Sequence, residues 1–246
     1  MQNNNKIYQE ILNCKANKKK LLAILLDPDK IVWESLDNLI HKIINSPATH
    51  VFIGGSLVTS NRIDELIIRL KQKVDLPIIL FPGNPSQISN EADGILFLSL
   101  LSGRNPDYLI GHQVKAAPIL YKSKLEIVPT GYLLISGGST TAVEYVSKTN
   151  PIDRADAELA LATALAGEMM GNKLIYLEAG SGAQQAVPEN IIELVSRNLT
   201  IPLIVGGGIV DLQGIKKAYD SGADLVVIGT AFEKDIHFFD TNKNLE

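Results

Sequence analysis

An α/β fold of eight strand-and-helix units closed into a barrel is what the sequence predicts. Eight short apolar runs recur along the 246 residues, and most of the gaps between them carry helical patterns. The runs are continuously apolar rather than alternating, which is typical of parallel strands buried on both faces. Repeated alternation of strand and helix favours a (β/α)8 barrel over an open sheet. No linker or low-complexity tract divides residues 1–246, so we expect one domain.

The strands are expected at the apolar runs, each of which is bounded by turn residues. In chain order the runs are LLAILLD (21–27), THVFIGG (49–55), LPIILFPG (76–83), GILFLSL (94–100), LEIVPTGYLLI (125–135), KLIYLEAG (173–180), IPLIVGGG (201–208) and ADLVVIGT (223–230). Helices are expected at 30–44, 60–74, 153–170 and 187–198, where apolar residues recur three and four positions apart.

Two gaps between strands depart from this rhythm. The segment NPSQISNEAD, at 84–93, is too short and too polar for an ordinary crossover helix, so we expect extended chain there. The segment SGGSTTAVEYVSKTNPI, at 136–152, is long and rich in Gly, Ser and Thr. Such a composition predicts a mobile active-site loop after the fifth strand.

Composition and charge exclude several classes of protein. The formal net charge of −4 and the pI near 5.6 leave no basic face for nucleic acid. The single cysteine, Cys14, cannot form a disulfide framework or a multi-cysteine metal site within one chain. No segment approaches the roughly 20 apolar residues of a membrane span, and no signal peptide is recognisable. We therefore expect a cytoplasmic protein.

Glycines follow the last three predicted strands and suggest a phosphate site. Gly180 and Gly182 flank Ser181 after the sixth strand, Gly206–Gly208 end the seventh, and Gly229 and Thr230 end the eighth. Barrel enzymes build their sites at the carboxyl ends of the strands, and glycine lets backbone N–H groups approach an anion there. Glycines also simply permit tight turns. Their recurrence in three consecutive loops favours phosphate.

A carboxylate follows the first predicted strand, and another lies inside the sixth. Asp27, facing Ser56 in the next loop, offers hard oxygen ligands suited to Mg²⁺ when a substrate phosphate completes the shell. Capping of the following helix is an equally good interpretation of this region, with Asp29 the better candidate for the cap. Glu178 would have a raised pKa if buried, as a general base requires, although a structural hydrogen bond to a neighbouring strand remains open.

Ten segments together resemble the geranylgeranylglyceryl phosphate synthase family, most closely its longer-chain second group. The segments are LLDPDK, VFIGGSLVTS, LFPGNPSQIS, FLSLLSGRNPDYLIGHQVKAAP, LEIVPTGYLLI, TTAVEYVSKTNPI, ALATALAGEMMG, YLEAGSGA, VGGGI and VIGTAFE. The similarity runs from about Leu21 to Glu233. It implies a modified TIM (β/α)8 barrel in which an extended segment replaces the third helix.

The resemblance also implies an activity and a set of site residues. The enzyme would join the C3 hydroxyl of sn-glycerol 1-phosphate to a prenyl diphosphate, with geranylgeranyl diphosphate expected, for ether phospholipid synthesis. Residues implied to bind glycerol phosphate are Tyr176, Leu177, Glu178, Ala179, Gly180, Ser181, Gly182, Gly207, Gly208, Gly229 and Thr230. Asp27 and Ser56 would hold Mg²⁺ against the diphosphate, and Glu178 would be the catalytic base. Some relatives carry a lysine two residues before the aspartate, whereas this chain has Leu25, so no role for that lysine transfers.

Further expectations concern assembly and the prenyl chain. Relatives form dimers or hexamers, so a homo-oligomer is implied, and the lipid product would bring the protein close to a membrane surface. We place the prenyl groove near Phe81, Tyr132 and the segment 98–101, beside the missing helix. The competing interpretations are an isomerase or lyase acting on a phosphosugar or indole glycerol phosphate, a flavin-dependent oxidoreductase, and a non-catalytic binding barrel.

Overall fold

The structure, a computed structural model, describes residues 5–59, 61–235 and 238–239, and it contains a closed parallel barrel. Each strand pairs with the next in chain order, and the first pairs with the eighth. The strands are β1 Leu21–Leu26, β2 His50–Ile53, β3 Ile78–Leu80, β4 Gly94–Leu100, β5 Glu126–Leu134, β6 Leu174–Glu178, β7 Leu203–Gly206 and β8 Leu225–Ile228. All eight lie within the apolar runs, so the predicted fold class is confirmed.

Helices surround the barrel, and one further helix precedes the first strand. Their bounds are α1 Lys6–Ala16, α2 Leu36–Ile44, α3 Ile63–Lys71, α4 His112–Lys122, α5 Ala142–Ser147, α6 Ala157–Met169, α7 Glu189–Asn198, α8 Leu212–Asp220 and α9 Thr230–Lys234. A π-helical turn, Asp107–Gly111, leads directly into α4. None of the helices in the described part of the chain combines the length and the hydropathy that a bilayer-spanning segment needs.

The connection from β3 to β4 contains no α-helix, as the short polar gap predicts. It forms only a 3-10 turn, Pro85–Gln87, which is capped by the Asn84 side chain accepting the Ser86 N–H at 2.8 Å. Gln87 is buried and donates to the carbonyl of Gly55 at 2.8 Å, which fastens this segment to the loop after β2. No α-helix therefore covers this connection, although Ile78, Leu80 and Ile95 are buried by neighbouring segments.

The loop after β5 is more ordered than its composition predicts. Part of it forms α5, which begins with a capping box: the Thr141 hydroxyl accepts the Glu144 N–H, and the Glu144 carboxylate accepts the Thr141 N–H. The sequence predicts a mobile active-site loop here and not this helix, which forms because Thr and Glu three residues apart satisfy a helix N-terminus. The helix lies beside the carboxyl ends of the strands, where its position matters for the site.

Alternate strand residues build two apolar clusters. One fills the barrel interior and the other lies between the strands and the helices. Ile7, Ile11 and Cys14 of α1 belong to the interior cluster, so this helix closes the amino end of the barrel. The Glu126 carboxylate accepts the N–H groups of Ile7 and Tyr8, each at 2.8 Å, which satisfies donors left free at a helix start. The polar N-terminal stretch is thus structural, and the opposite end of the barrel is left for chemistry.

Candidate active site

Glu178, the last residue of β6, is the buried acid at the carboxyl end of the barrel. Its side chain is 6% exposed, and its Oε1 accepts the Gly180 N–H at 2.8 Å. The carboxylate lies directly against Gly206 and Gly207, so that a Cβ on Gly207 would overlap Oε1. Glycine at these positions is what allows the acid to lie beside the seventh strand. The carboxylate is therefore held between two of the predicted phosphate loops.

Burial raises the pKa of Glu178 to about 7. Removal of water from the carboxylate is the largest cause, and the nearby Tyr176 hydroxyl and the Gly180 N–H lower the pKa by smaller amounts. Although it lies close to Glu178, the Tyr176 hydroxyl makes no well-aligned hydrogen bond within the described residues. A carboxylate that titrates near neutral pH can accept a proton from an alcohol.

The three glycine loops converge on one place. The hydroxyls of Ser181 and Thr230 are 3.4 Å apart, which joins the loops after β6 and β8. Gly207 packs on the backbone of the β6 loop, since a Cβ there would lie 2.6 Å from the Gly180 nitrogen. Gly180, Gly182, Gly207 and Gly208 all have positive φ, a conformation that suits glycine. The sequence prediction that these loops meet at one rim agrees with this geometry.

The remaining residues implied for glycerol phosphate divide into two kinds. The side chains of Leu177 and Ala179 pack in the cluster between strands and helices, so only their backbone atoms are available to the site. Gly229 precedes α9 and leaves the N-terminus of that helix without a side-chain cap. In contrast, the Asp211 side chain caps α8 by accepting the Gly214 N–H at 2.7 Å. The uncapped donors thus lie beside Thr230.

Asp27 lies across the barrel mouth, directly after β1. Its carboxylate accepts the Asp29 N–H at 3.1 Å and therefore caps the 3-10 turn Pro28–Lys30. The prediction that Asp29 is the cap was wrong, because the Asp29 carboxylate instead accepts the N–H and hydroxyl of Thr59 in the β2 loop. The Lys30 ammonium lies 3.2 Å from Oδ2 of Asp27. Asp27 thus already has two partners.

The surroundings of Asp27 permit a magnesium ion that depends on a substrate. Within the described residues there is no group of three or more His, Cys, Asp or Glu side chains placed to hold a metal. The Asp27 carboxylate lies against Gly55, since a Cβ there would be 3.2 Å from Oδ2, and Ser56 follows at the edge of the groove described below. One carboxylate, one hydroxyl and the oxygens of a diphosphate form a donor set that Mg²⁺ accepts.

An apolar groove opens where the third helix is missing. It runs from Gly55 and Ser56 past residues 81–85 and β4 and ends against α4 and α5. Its β4 side chains Leu96, Leu98 and Leu100 belong to, or pack against, the interior cluster. The empty space between its walls is about 810 Å³, a figure that includes open solvent. Its apolar lining includes Phe81, Phe97, Leu98, Leu100, Tyr132 and Val146. Leu101, which the sequence placed here, instead packs near Gly131 and Gly167 behind β5.

Tyr132 lies where the groove meets the barrel interior. Its ring packs edge-on against Tyr176, with centroids 5.4 Å apart, and lies 6.0 Å from the Phe81 ring. Glu178 and burial together raise the pKa of Tyr132, burial being the larger cause. The groove and the carboxylate are therefore separated only by an aromatic layer. Two further residues could not be found from the sequence, because their partners are distant in the chain: Gln87 donates to the carbonyl of Gly55, and Asn105 donates to the carbonyl of Ser147.

Comparison with known proteins agrees with this geometry. The PcrB family model matches residues 14–244. The chain is 67% identical over 235 residues to geranylgeranylglyceryl phosphate synthase of Flavobacterium johnsoniae, covering 96% of this chain and 97% of that protein. The crystal structure of (S)-3-O-geranylgeranylglyceryl phosphate synthase from Thermoplasma acidophilum in complex with sn-glycerol-1-phosphate superposes with a TM-score of 0.89 at 36% identity, covering 95% and 94% of the chains.

More distant structural neighbours share only the fold. A tryptophan synthase α-subunit from Pyrococcus furiosus gives a TM-score of 0.54 at 15% identity, covering 87% of this chain and 88% of the other. Similarity at that level supports a common barrel without indicating common chemistry.

Proposed function

The chain belongs to the PcrB family, and we propose that it is a prenyltransferase of ether-lipid synthesis that uses sn-glycerol 1-phosphate as acceptor. The observation that carries the proposal is the buried Glu178 carboxylate, held against glycine loops suited to a phosphate. Support also comes from the Thermoplasma relative, whose structure contains sn-glycerol-1-phosphate. The lyases and isomerases that share the barrel fold gain no comparable support at 15% identity.

The acceptor would lie between the loops after β6, β7 and β8. Backbone N–H groups of the glycine loops and the hydroxyls of Ser181 and Thr230 would hold the phosphate. The glycerol end would then reach the Tyr176 hydroxyl and the Glu178 carboxylate, which titrates near neutral pH. Fixing the phosphate presents the alcohol to the acid in one orientation rather than by collision.

The donor would occupy the groove and the Asp27 side of the mouth. Its isoprenoid chain would lie along β4 between Phe81 and Leu98, with the diphosphate near Asp27 and Ser56. Those two residues would hold Mg²⁺, which when bound neutralises charge on the leaving diphosphate. We further propose geranylgeranyl diphosphate as the donor, a single-domain homo-oligomer as the working form, and the cytoplasm, close to a membrane surface, as its location.

In the proposed reaction one bond breaks, one bond forms, and Glu178 takes the proton that is released. The bond between C1 of the prenyl group and its diphosphate oxygen breaks, and the electron pair leaves with the diphosphate. The C3 hydroxyl oxygen of glycerol phosphate bonds to C1, and its proton passes to Glu178. Tyr132 and Phe81, packed between groove and acid, exclude water from the carbon that reacts.

The proposal is tested by incubating purified protein with Mg²⁺, sn-glycerol 1-phosphate and a series of prenyl diphosphates of increasing length. We expect one ether lipid, identified by mass, together with released diphosphate. The enantiomeric sn-glycerol 3-phosphate is the control substrate for the acceptor site. Consumption of a phosphosugar, with no prenylated product under these conditions, would instead favour the isomerase interpretation.

Replacing Asp27 with serine separates its two interpretations. Serine is as good a helix cap as aspartate, and the ion pair with Lys30 that the variant loses is partly exposed, so the free energy of unfolding should fall by less than about 1 kcal/mol. Loss of the carboxylate should still lower kcat/KM at least about a hundredfold, because metal ions supply several kcal/mol of charge stabilisation. Calorimetry of inorganic diphosphate binding with and without Mg²⁺ gives a second readout. A serine variant with full activity would leave Asp27 as a cap alone.

Replacing Leu98 with tryptophan should shorten the preferred donor. Each buried methylene contributes about 0.8 kcal/mol, so displacing the last isoprene unit should lower the preference for the longest donor at least tenfold, or about 1.4 kcal/mol. Mass spectrometry of products from an equimolar mixture of donors measures this. Ile119→Trp, on the exposed side of α4, is the control. Identical product lengths in the two variants would contradict the placement of the groove.

A further inference from the structure

Helix α5 forms a roof over the end of the groove. Val143 and Val146 face the groove, whereas Tyr145, on the other side of the helix, is 76% exposed. A helix of six residues is too short to be stable by itself, because nucleation costs more than one turn returns. The position of the roof therefore depends on contacts from other segments.

Two side chains of the segment before α4 hold the carboxyl end of this helix. Asn105 donates from Nδ2 to the carbonyl of Ser147 at 2.7 Å, and the Tyr108 hydroxyl donates to the carbonyl of Val146 at 3.2 Å. The last carbonyls of a helix have no partner within it, so these bonds satisfy groups that would otherwise need water. Tyr108 also lines the groove, so one segment supplies both a wall and the ties to the roof.

Asn105 uses both ends of its carboxamide. While Nδ2 donates to Ser147, Oδ1 accepts the Asp107 N–H at 3.0 Å, where the π-helical turn begins. A carboxamide carries a donor and an acceptor, whereas a carboxylate of the same shape keeps only the acceptor. Aspartate at position 105 would keep the bond from the Asp107 N–H and lose the bond to the Ser147 carbonyl of α5.

The amino end of α5 contacts the acceptor site. The side chain of Thr141, the residue that caps the helix, packs on Gly180 so closely that a Cβ on this glycine would overlap it. The Gly180 N–H in turn donates to Glu178 at 2.8 Å. Helix α5 therefore extends from the donor groove to the acceptor loop. Asn105 and Tyr108 hold its carboxyl end, and the contact between Thr141 and Gly180 holds its amino end.

We propose that Asn105 is a positioning residue that holds α5 over the bound prenyl chain and thereby joins the donor and acceptor sites. It acts through the helix and touches neither substrate. The inference rests on the proposed function for its kinetic consequences, but the tie itself is a property of the free protein. Loss of the bond from Asn105 to Ser147 should make α5 more mobile and should weaken donor binding more than acceptor binding. Proton transfer to Glu178 should be unchanged.

The test is Asn105→Asp, examined by three measurements. Hydrogen exchange of the α5 amides should accelerate about tenfold, the effect of losing one hydrogen bond. The dissociation constant of a non-ionising prenyl thiolodiphosphate should rise about tenfold, and the KM for sn-glycerol 1-phosphate should rise less. The pH at which kcat/KM levels off should stay unchanged. Tyr108→Phe, which removes the second tie, should accelerate exchange in the same amides.

Asn198→Asp is the matched control, because Asn198 also donates to a helix carbonyl, that of Leu194 at 2.8 Å, but at an exposed end of α7. It should change none of these readouts. Wild-type exchange rates in α5 of Asn105→Asp would overturn the proposal whatever the activity. Absence of prenyl transfer by the wild-type protein would refute the proposed function instead, while the exchange measurement would still decide the role of Asn105.

Discussion

Replacing Glu178 with glutamine should lower kcat by about 10²- to 10⁴-fold, the usual contribution of a general base. Glutamine has the same shape and can still accept the Gly180 N–H, so the loop after β6 should keep its structure. Binding of sn-glycerol 1-phosphate, measured by calorimetry, should therefore change only a few-fold. The loss would be confined to the step in which the acceptor hydroxyl gives up its proton.

The pH profile of the wild-type enzyme provides an independent check on the base. Because the pKa of Glu178 in the free protein is about 7 and the base is active when deprotonated, log kcat/KM should rise with pH and level off above about pH 7. Glu178→Gln should lose this dependence in its residual activity. A glutamine variant with wild-type turnover, or an unchanged profile, would exclude Glu178 as the base.

Although Glu178→Gln should lower activity, it should raise the stability of the protein at alkaline pH. The folded-state pKa of about 7 lies above the ordinary value of 4.5, so the folded protein binds the proton more tightly than the unfolded chain. Stability is thus lost as pH rises between these values, by up to about 3 kcal/mol at roughly 1.4 kcal/mol per unit. Glu178→Gln should melt at a higher temperature than wild type at pH 8 and at a similar temperature at pH 4.

Replacing Gly207 with alanine should lower kcat/KM by at least about a hundredfold. A Cβ here would overlap the Glu178 carboxylate and lie 2.6 Å from the Gly180 nitrogen and 2.8 Å from the Ala179 nitrogen. Both the acid and the β6 loop would have to move, and a displacement near 1 Å in an oriented site costs about a hundredfold. Steady-state kinetics for both substrates, with phosphate binding by calorimetry, measures the effect.

Gly171→Ala is the matched control for backbone strain. Gly171 also has a positive φ, +95°, but a Cβ there would meet nothing within 4 Å. Alanine should therefore cost only the roughly 1–2 kcal/mol of an unfavourable backbone conformation, with kcat/KM unchanged. Gly207→Ala should lose more stability than this control in chemical denaturation. Equal losses in the two variants, with activity retained in both, would show that Gly207 merely permits a turn.

Much of the fold could be predicted because it depends on local pattern. Eight buried parallel strands need continuous apolar runs, and a gap of ten polar residues cannot form a crossover helix, so NPSQISNEAD already indicated the missing third helix. The rim of the barrel that carries the site could also be predicted, since the site of such a fold lies after the carboxyl ends of the strands. Short helices were harder to predict from the sequence. Helix α5 was interpreted as a loop because the Gly, Ser and Thr residues around it are typical of loops, although Thr141 and Glu144 form a capping box.

Part of the candidate site could also be predicted from local sequence, and part could not. Local sequence pattern was enough to locate Glu178, the glycine loops and Asp27 at the strand ends. Three features could be found only in the folded chain: Glu178 is enclosed enough to titrate near pH 7, Asp27 rather than Asp29 caps the first turn, and Asn105 reaches Ser147 across 42 positions. The physical reason is that burial and such distant contacts arise when the barrel closes, whereas periodicity and turn chemistry act over a few neighbouring residues.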